Sequence, residues 1–271
     1  MTEIEEIMIV KLGGSVITEK NKPFSLKSEI LDDLIDQIVK AKQKCIVIHG
    51  AGSFAHPLAQ KYDIVSGKNP KIKNQIYGLA ETHSGVAKLN TIITNKFLEK
   101  GIATIPLQPS TLFHQDLQNL DNLHKIINDL LDLNITPLLY GDIILGSDTK
   151  FSIISGDRII LEICKQFVLS EKEHHYQISK VIFCFDQDGL FVKDEKEKKK
   201  ILLECKQEEL DHLQFYTLQT KIDVTGGIKG KLQETKEICK LKIPVQLVNG
   251  QKKNYLLKAL QQQQVISTTI N

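Results

Sequence analysis

Lys44-Cys-Ile-Val-Ile-His-Gly-Ala-Gly-Ser-Phe-Ala-His56 is the stretch on which the reading of the chain turns. Its opening run, Lys44 to Ile48, is short, apolar and β-branched, the pattern of a parallel strand buried on both faces. Small residues follow at once, then Pro57 and a helix. A strand that opens through glycines into a helix points unpaired backbone N–H groups at one spot, and that spot attracts anions, phosphate above all. Gly50 to Ala55 also fits the dinucleotide pattern G-x-G-x-x-G/A. That reading needs an acidic residue about twenty positions on, at the end of the next strand, to hold a ribose. The region holds Asn69-Pro-Lys-Ile-Lys-Asn-Gln75 instead, with neither strand nor acid, and the turn follows the second strand of the chain, not the first. A phosphate turn fits better than a nicotinamide or flavin site.

Upstream, Ile7-Met-Ile-Val10 predicts a first buried strand running into Lys11-Leu-Gly13-Gly14-Ser15. A lysine at a strand end beside paired glycines sets a cation next to open amides, which suits a polyphosphate. Lys20 follows in a polar loop able to fold back over the same place. Ile30, Leu31, Leu34, Ile35, Ile38 and Val39 give an amphipathic helix over 28–42, completing a right-handed βαβ unit.

Downstream, 72–100 predicts one long helix stopped by Gly101. Strands at 102–106 and 135–140 flank a helix at 121–133, and Gly146-Ser-Asp148 between 143–145 and 150–154 predicts a hairpin. Ser155-Gly156-Asp157-Arg158 opens another helix, where Asp157 either answers the helix dipole or orients the lysines of a site. Strands are expected at 167–169 and 181–185, the second opening into Asp186-Gln-Asp-Gly-Leu-Phe-Val192. Lys193 to Lys200 reads as a solvated charged loop, and Thr220 to Thr225 as a polar loop leading to Gly226-Gly227-Ile-Lys-Gly-Lys231 at a helix start. Ile243 to Val248 reads as the closing strand and Gln261 to Gln264 as a frayed C-terminal helix. Strands alternating with helices predict an α/β fold with a mostly parallel sheet covered on both faces.

The 271 residues suffice for one large α/β domain or two small ones. Charge is nearly balanced, 35 basic against 33 acidic residues, and Arg158 is the only arginine, so neither the charge nor the residue type of a nucleic-acid reader is present. Cys45, Cys164, Cys184, Cys205 and Cys239 are odd in number and mostly set in apolar runs, as reduced core residues of a cytoplasmic protein would be. No run reaches the length of a membrane span, and the acidic N-terminus is unlike a secretion signal. The P-loop and protein-kinase signatures are absent, as is any zinc spacing; His49 with His56 alone would make a poor metal site.

KLGGS (Lys11 to Ser15), HGAGSFAH (His49 to His56), SGD (Ser155 to Asp157), DQDGLF (Asp186 to Phe191) and DVTGGIKGK (Asp223 to Lys231), in this order, resemble the amino acid kinase superfamily over nearly the whole chain. The resemblance implies an αβα sandwich around about eight mostly parallel strands, a single domain whose first part, about 1–165, binds the phosphoryl acceptor and whose remainder, about 166–271, binds ATP, usually as a homodimer. Within the superfamily, His56 after GSFA, together with ETHSGVAKLN (Glu81 to Asn90), resembles the isopentenyl phosphate kinases.

That resemblance implies transfer of the γ-phosphoryl group of ATP to isopentenyl phosphate, in isoprenoid synthesis. Lys11 and Lys20 would neutralise the transferring group, Lys231 would act from the nucleotide side and Asp157 would hold the lysines. Gly13, Gly14 and Ser15 would lie along the nucleotide phosphates with Lys11. Ala51, Gly52 and Gly156 would offer backbone contacts to phosphates, and His56 would donate to the acceptor phosphate. Asp186 and Gly227 would sit at the nucleotide, and Mg2+ would be held mainly by the nucleotide phosphates, with no protein metal ligand. No general base is needed, because the nucleophile is an ionised phosphate oxygen. Ala51 and Ala55 stand where the family commonly has glycine, Ile228 where it has methionine, and Arg158 where an acid is frequent. A fosfomycin-kinase-like enzyme and a silent nucleotide or metabolite sensor are the competing readings.

Overall fold

The computed structural model describes residues 4–19, 21–116, 120–169, 175–193, 198–213, 215 and 227–271. The elements in chain order are β1 (Glu5–Leu12), α1 (Gly14–Ile17), α2 (Ser28–Ala41), β2 (Cys45–His49), α3 (His56–Lys61), α4 (Gln75–Glu99) and β3 (Thr104–Pro106). Next come α5 (Pro109–Leu112), α6 (Asp121–Asp132), β4 (Thr136–Tyr140), β5 (Asp142–Leu145), β6 (Phe151–Ile154), α7 (Gly156–Leu169) and β7 (Tyr176–Phe185). The chain ends through β8 (Leu190–Lys193), β9 (Lys199–Leu202), β10 (Glu204–Cys205), α8 (Gly227–Lys240), β11 (Val245–Asn249), α9 (Tyr255–Leu260) and β12 (Ser267–Ile270).

The central sheet has the order β10-β12-β11-β7-β1-β2-β4-β3, and every neighbouring pair is parallel except β11 with β12. Period-two alternation sorts its side chains into two cores. Ile7, Ile9, Ile46, Ile48, Val181 and Phe183 pack with α6, α7 and α8 on one face, while Met8, Val10, Leu12, Val47 and Ile182 pack with α2, α4 and α9 on the other. The architecture is thus the αβα sandwich. Strands leave β1 to both sides, with β2 on one flank and β7 on the other. Ligands of open α/β sheets bind outside the carboxyl ends of the strands at such a point. Lys11, His49, Tyr140, Phe185 and Asn249 all stand at those ends.

Several predicted elements are found with small changes of boundary. The long helix starts at Gln75 and stops as expected: Gly101 has φ +78° and donates to the Leu98 carbonyl, while the Ile102 N–H donates to that of Phe97. The hairpin is β5 with β6, and its positive φ values fall at Asp148 and Thr149.

Three expectations fail. Residues 167–169 form the end of α7, not a strand. Ile159, Ile160, Ile163, Cys164 and Phe167 are buried at helical spacing, and a short apolar run looks the same in either state. Val245 to Asn249 is not the closing strand, because β12 adds to it antiparallel. The glutamine run is not a frayed helix end either: α9 stops at Leu260, Gln262 takes φ +56°, and the turn feeds β12. Of the charged segment, 194–197 lie outside the described residues, and its flanks pair as β8 and β9. Thr220 to Thr225 also lies outside them.

Candidate active site

Lys11 continues the alternating series Ile7, Ile9 on the face of β1 that packs against α7. An apolar residue would be expected there, and the ammonium has a partner instead. Lys11 Nζ lies 2.5 Å from Asp157 Oδ1, and Lys231 Nζ reaches the same oxygen at 3.0 Å. The ring of Phe183 lies beside both ammonium groups, 5.7 Å from that of Lys11 and 4.4 Å from that of Lys231. The register explains this, since Phe183 is the β7 partner of Lys11 and shares its face of the sheet.

Local sequence builds the aspartate's position. Ser155 caps α7, its hydroxyl accepting from the Arg158 N–H at 3.0 Å. That leaves Asp157 in the first turn, above the end of β1. Gly156 lets Lys11 pass: a Cβ there would lie 3.3 Å from Lys11 Cε and 3.1 Å from Ile48 Cγ2.

Burial pushes the Lys11 amine down to about 8; Asp157 opposes that shift and Lys231 adds to it. Burial of Asp157 favours its neutral form, but the two lysines outweigh burial and hold its carboxyl well below the usual range. The result is a charged triad carrying one net positive charge, as an anion-binding site requires.

The two glycine turns meet beside the triad. A Cβ on Gly14 would lie 2.6 Å from the Gly52 nitrogen, and one on Gly50 would lie 2.6 Å from that of Gly14. Helix α1 starts at Gly14 and a single 3-10 turn at Gly52, so the first N–H groups of both have no partner within their own helices and open side by side. Gly52 has φ +50°, and a Cβ there would run into Thr18 Oγ1 at 2.1 Å. Ala51 has φ −72° and Ala55 φ −129°, which any residue adopts, so the two alanines place no strain on the turn. Their methyl groups pack with Val86 and Tyr140.

His49, the other imidazole of the turn, is fully buried and pushed down to about 4 by burial. It donates from Nδ1 to the Gly50 carbonyl at 3.0 Å and accepts at Nε2 from Asn90 at 3.2 Å. It also stacks on Tyr140, with ring centroids 5.4 Å apart. Its work is to fix the turn on α4.

Of the residues expected at the site, Lys11, Asp157, Lys231 and Gly156 converge directly, and Gly13, Gly14, Ser15, Ala51 and Gly52 form the adjoining turns. His56 opens α3 at the end of the second turn, half-buried. Asp186 follows the last residue of β7, and Gly227 is the first of α8. Lys20 lies outside the described residues.

Sequence reading did not single out four further residues at or near these turns. Phe183 is hidden in an apolar strand, visible only through register. Ser53 pins the segment on either side of position 20: its N–H donates to Thr18 Oγ1, its carbonyl accepts from the Phe24 N–H, and its hydroxyl exchanges hydrogen bonds with the backbone of Ser25. His83, in ETHSGVAKLN, lies 2.8 Å from the fully buried Asp142 carboxylate, and that hydrogen bond raises its pKa. Asp142 also accepts from the N–H groups of Ser110 and Ile143, joining α4, α5 and β5 around Tyr62, Ile64, Leu79 and Phe151.

Among the described residues, no three His, Cys, Asp or Glu side chains stand close enough together to hold a metal ion. Two ammonium groups held by one carboxylate, with converging backbone amides, make a donor set for phosphates. That set fits a Mg2+ carried on those phosphates better than one in a protein cage.

The model of the amino acid kinase family matches residues 6–249. Isopentenyl phosphate kinase of Methanothermobacter thermautotrophicus is 29% identical, over 97% of this chain and 98% of its own. Its counterpart in Methanocaldococcus jannaschii is 31% identical, over 94% and 95%. A crystal structure of isopentenyl phosphate kinase superposes with a TM-score of 0.76 at 27% identity, over 98% of this chain and all of the other.

Proposed function

The chain belongs to the amino acid kinase family, and from that premise we propose that it transfers the γ-phosphoryl group of ATP to isopentenyl phosphate, giving ADP and isopentenyl diphosphate. The observation that carries this reading is the meeting of Lys11 and Lys231 on Asp157 Oδ1 beside the turn that ends in His56. Two mutually repelling phosphates must be held in line for transfer, and buried cations with oriented amides lower that repulsion without any proton transfer.

In this mechanism Lys11, with Lys20, neutralises the equatorial oxygens of the transferring group, and Lys231 approaches from the nucleotide side. Asp157 bridges Lys11 and Lys231 through one oxygen, offsetting their mutual repulsion and aiming both at the phosphates. Gly13, Gly14, Ser15 and Gly52 line the nucleotide phosphates, and Asp186 and Gly227 sit at the nucleotide. Ala51 and Gly156 offer N–H groups to the acceptor phosphate, to which His56 donates. The part at about 1–165 takes the acceptor and lends its glycine turns to the nucleotide phosphates, and the part at about 166–271 takes the rest of the nucleotide. A Mg2+ held by the nucleotide phosphates would supply further charge neutralisation. The working form is a cytoplasmic homodimer.

The test is ADP release with Mg2+-ATP and isopentenyl phosphate, fosfomycin, glutamate or no acceptor. Selective turnover of isopentenyl phosphate is expected. Turnover of another acceptor alone would move the specificity, and nucleotide binding with no turnover would support a sensor. His56→Ala should raise KM for isopentenyl phosphate about tenfold or more, the loss of one charge-assisted hydrogen bond, with ATP binding unchanged. Unaltered acceptor kinetics in that variant would remove His56 from the site.

A further inference from the structure

Beyond the triad, a second ionic rung joins the same two helices. Arg158 follows Asp157 in the first turn of α7, and Glu234 lies one helical turn beyond Lys231 on α8. Arg158 Nη2 lies 2.9 Å from Glu162 Oε1, which Lys165 shares at 3.1 Å, and Arg158 Nη1 faces Glu234 Oε2 at 3.7 Å. The Glu162 side chain is 7% exposed and that of Glu234 is 19%. Glu234 Oε2 is buried without a hydrogen bond. Arg158 is therefore the cation that bridges two largely buried carboxylates, one on each helix, with Lys165 sharing the first.

We propose that Arg158 is a positioning residue for nucleotide binding: it holds α8 to α7 one turn beyond the Asp157–Lys231 contact and, with Lys165, offsets the charge of Glu162 and Glu234. A polyphosphate entering the site changes the balance between the two rungs. Lys231 then shares its donors between Asp157 and the phosphate, which weakens the first rung. The second rung makes no contact with the triad oxygen, so it persists and keeps the start of α8 in place. Without Arg158, two more carboxylates would stand beside Asp157 with Lys165 as their remaining cation, and a polyanion would be repelled. Burial already raises the Glu234 pKa, with Arg158 as the largest opposing influence. The chain thus uses a cation where the resemblance suggested an acid, and compensates it through residues on both helices.

This inference rests on the kinase reading only for the identity of the nucleotide, so its test is direct ATP binding, with no acceptor and no turnover. By calorimetric titration, Arg158→Ala should weaken ATP binding about tenfold. Arg158→Ala combined with Glu234→Gln should recover a substantial part of that loss, because the uncompensated carboxylate is gone. Thermal melting separates this from a purely structural role, since the ATP loss is expected at temperatures where Arg158→Ala is fully folded; two losses that simply add would overturn the proposal, as would unchanged ATP binding in Arg158→Ala or a binding loss that only follows its unfolding. Should Arg158→Ala fail to fold, Arg158→Lys serves, with intermediate weakening and the same rescue by Glu234→Gln expected. Isopentenyl phosphate turnover, measured separately, tells failure of the kinase reading from failure of this one.

Discussion

At the scale of single residues, the site depends on charges placed where an apolar core would otherwise continue. Lys11 shows the cost. Its ordinary value is 10.5 and burial brings it to about 8, so between these two values the folded chain binds fewer protons than the unfolded one. The penalty for burying the ammonium is therefore present in full below pH 8, and stability attributable to Lys11 rises as pH climbs from about 8 toward 10.5. Nucleotide binding has the opposite sign, because phosphate oxygens need the ammonium form. ATP affinity should fall as pH rises through about 8, with a proton taken up on binding, while the melting temperature of the free protein shows no parallel loss in that range. Calorimetry in buffers of different ionisation enthalpy from pH 6.5 to 9.5 would detect that proton. A pH-independent affinity with no proton uptake would mean that Lys11 stays charged throughout.

At the scale of elements, the two glycine turns and the segment from Thr18 to Leu26 form one unit. Thr18 and Leu26 pair as an antiparallel bridge, Phe24 packs edge-on against Phe54 at 5.6 Å, and buried Ser53 supplies the hydrogen bonds between. Ser53→Ala removes the hydroxyl that bonds Ser25 and leaves the Ser53 backbone bonds in place. At about 1 kcal/mol for each hydrogen bond lost, the fold should survive. Because this segment carries position 20, kcat should fall severalfold while ATP affinity is retained. Wild-type kcat in Ser53→Ala would show that the Ser25 bonds do not matter to the transfer step.

Most of this unit was legible in the sequence, since lysine, glycine and serine at strand ends announce an anion turn whatever the tertiary structure. What was hidden depends on register and on contacts between distant segments. Phe183 reads as one more core residue until β7 is laid beside β1. Glu234 reads as an ordinary surface acid until α8 meets α7. The misread strand at 167–169 and the missed β12 share a cause. Short apolar runs take their state from the surface that receives them, and here α7 was already running on one side while β11 offered an open edge on the other.

At the scale of the whole molecule, the parts proposed to take acceptor and nucleotide share one sheet and one core. Strand β1 lies between β2 and β7, and one continuous core joins Ile46 and Ile48 from the first part to Val181, Phe183 and Val245 from the second. Melting should therefore be a single transition. ATP at about a hundred times its dissociation constant should stabilise the fold by about 2.7 kcal/mol, or roughly 5–10 °C for a chain of this size. The free cysteines report the two parts separately, because Cys45 is buried on one side of the molecule's division and Cys239 on the other. With ATP present, both thiols should become reactive at the same raised temperature, coincident with loss of helical circular dichroism. If Cys239 were protected by ATP and Cys45 were not, the two parts would be unfolding independently, and the shared sheet would not transmit nucleotide binding to the acceptor turn.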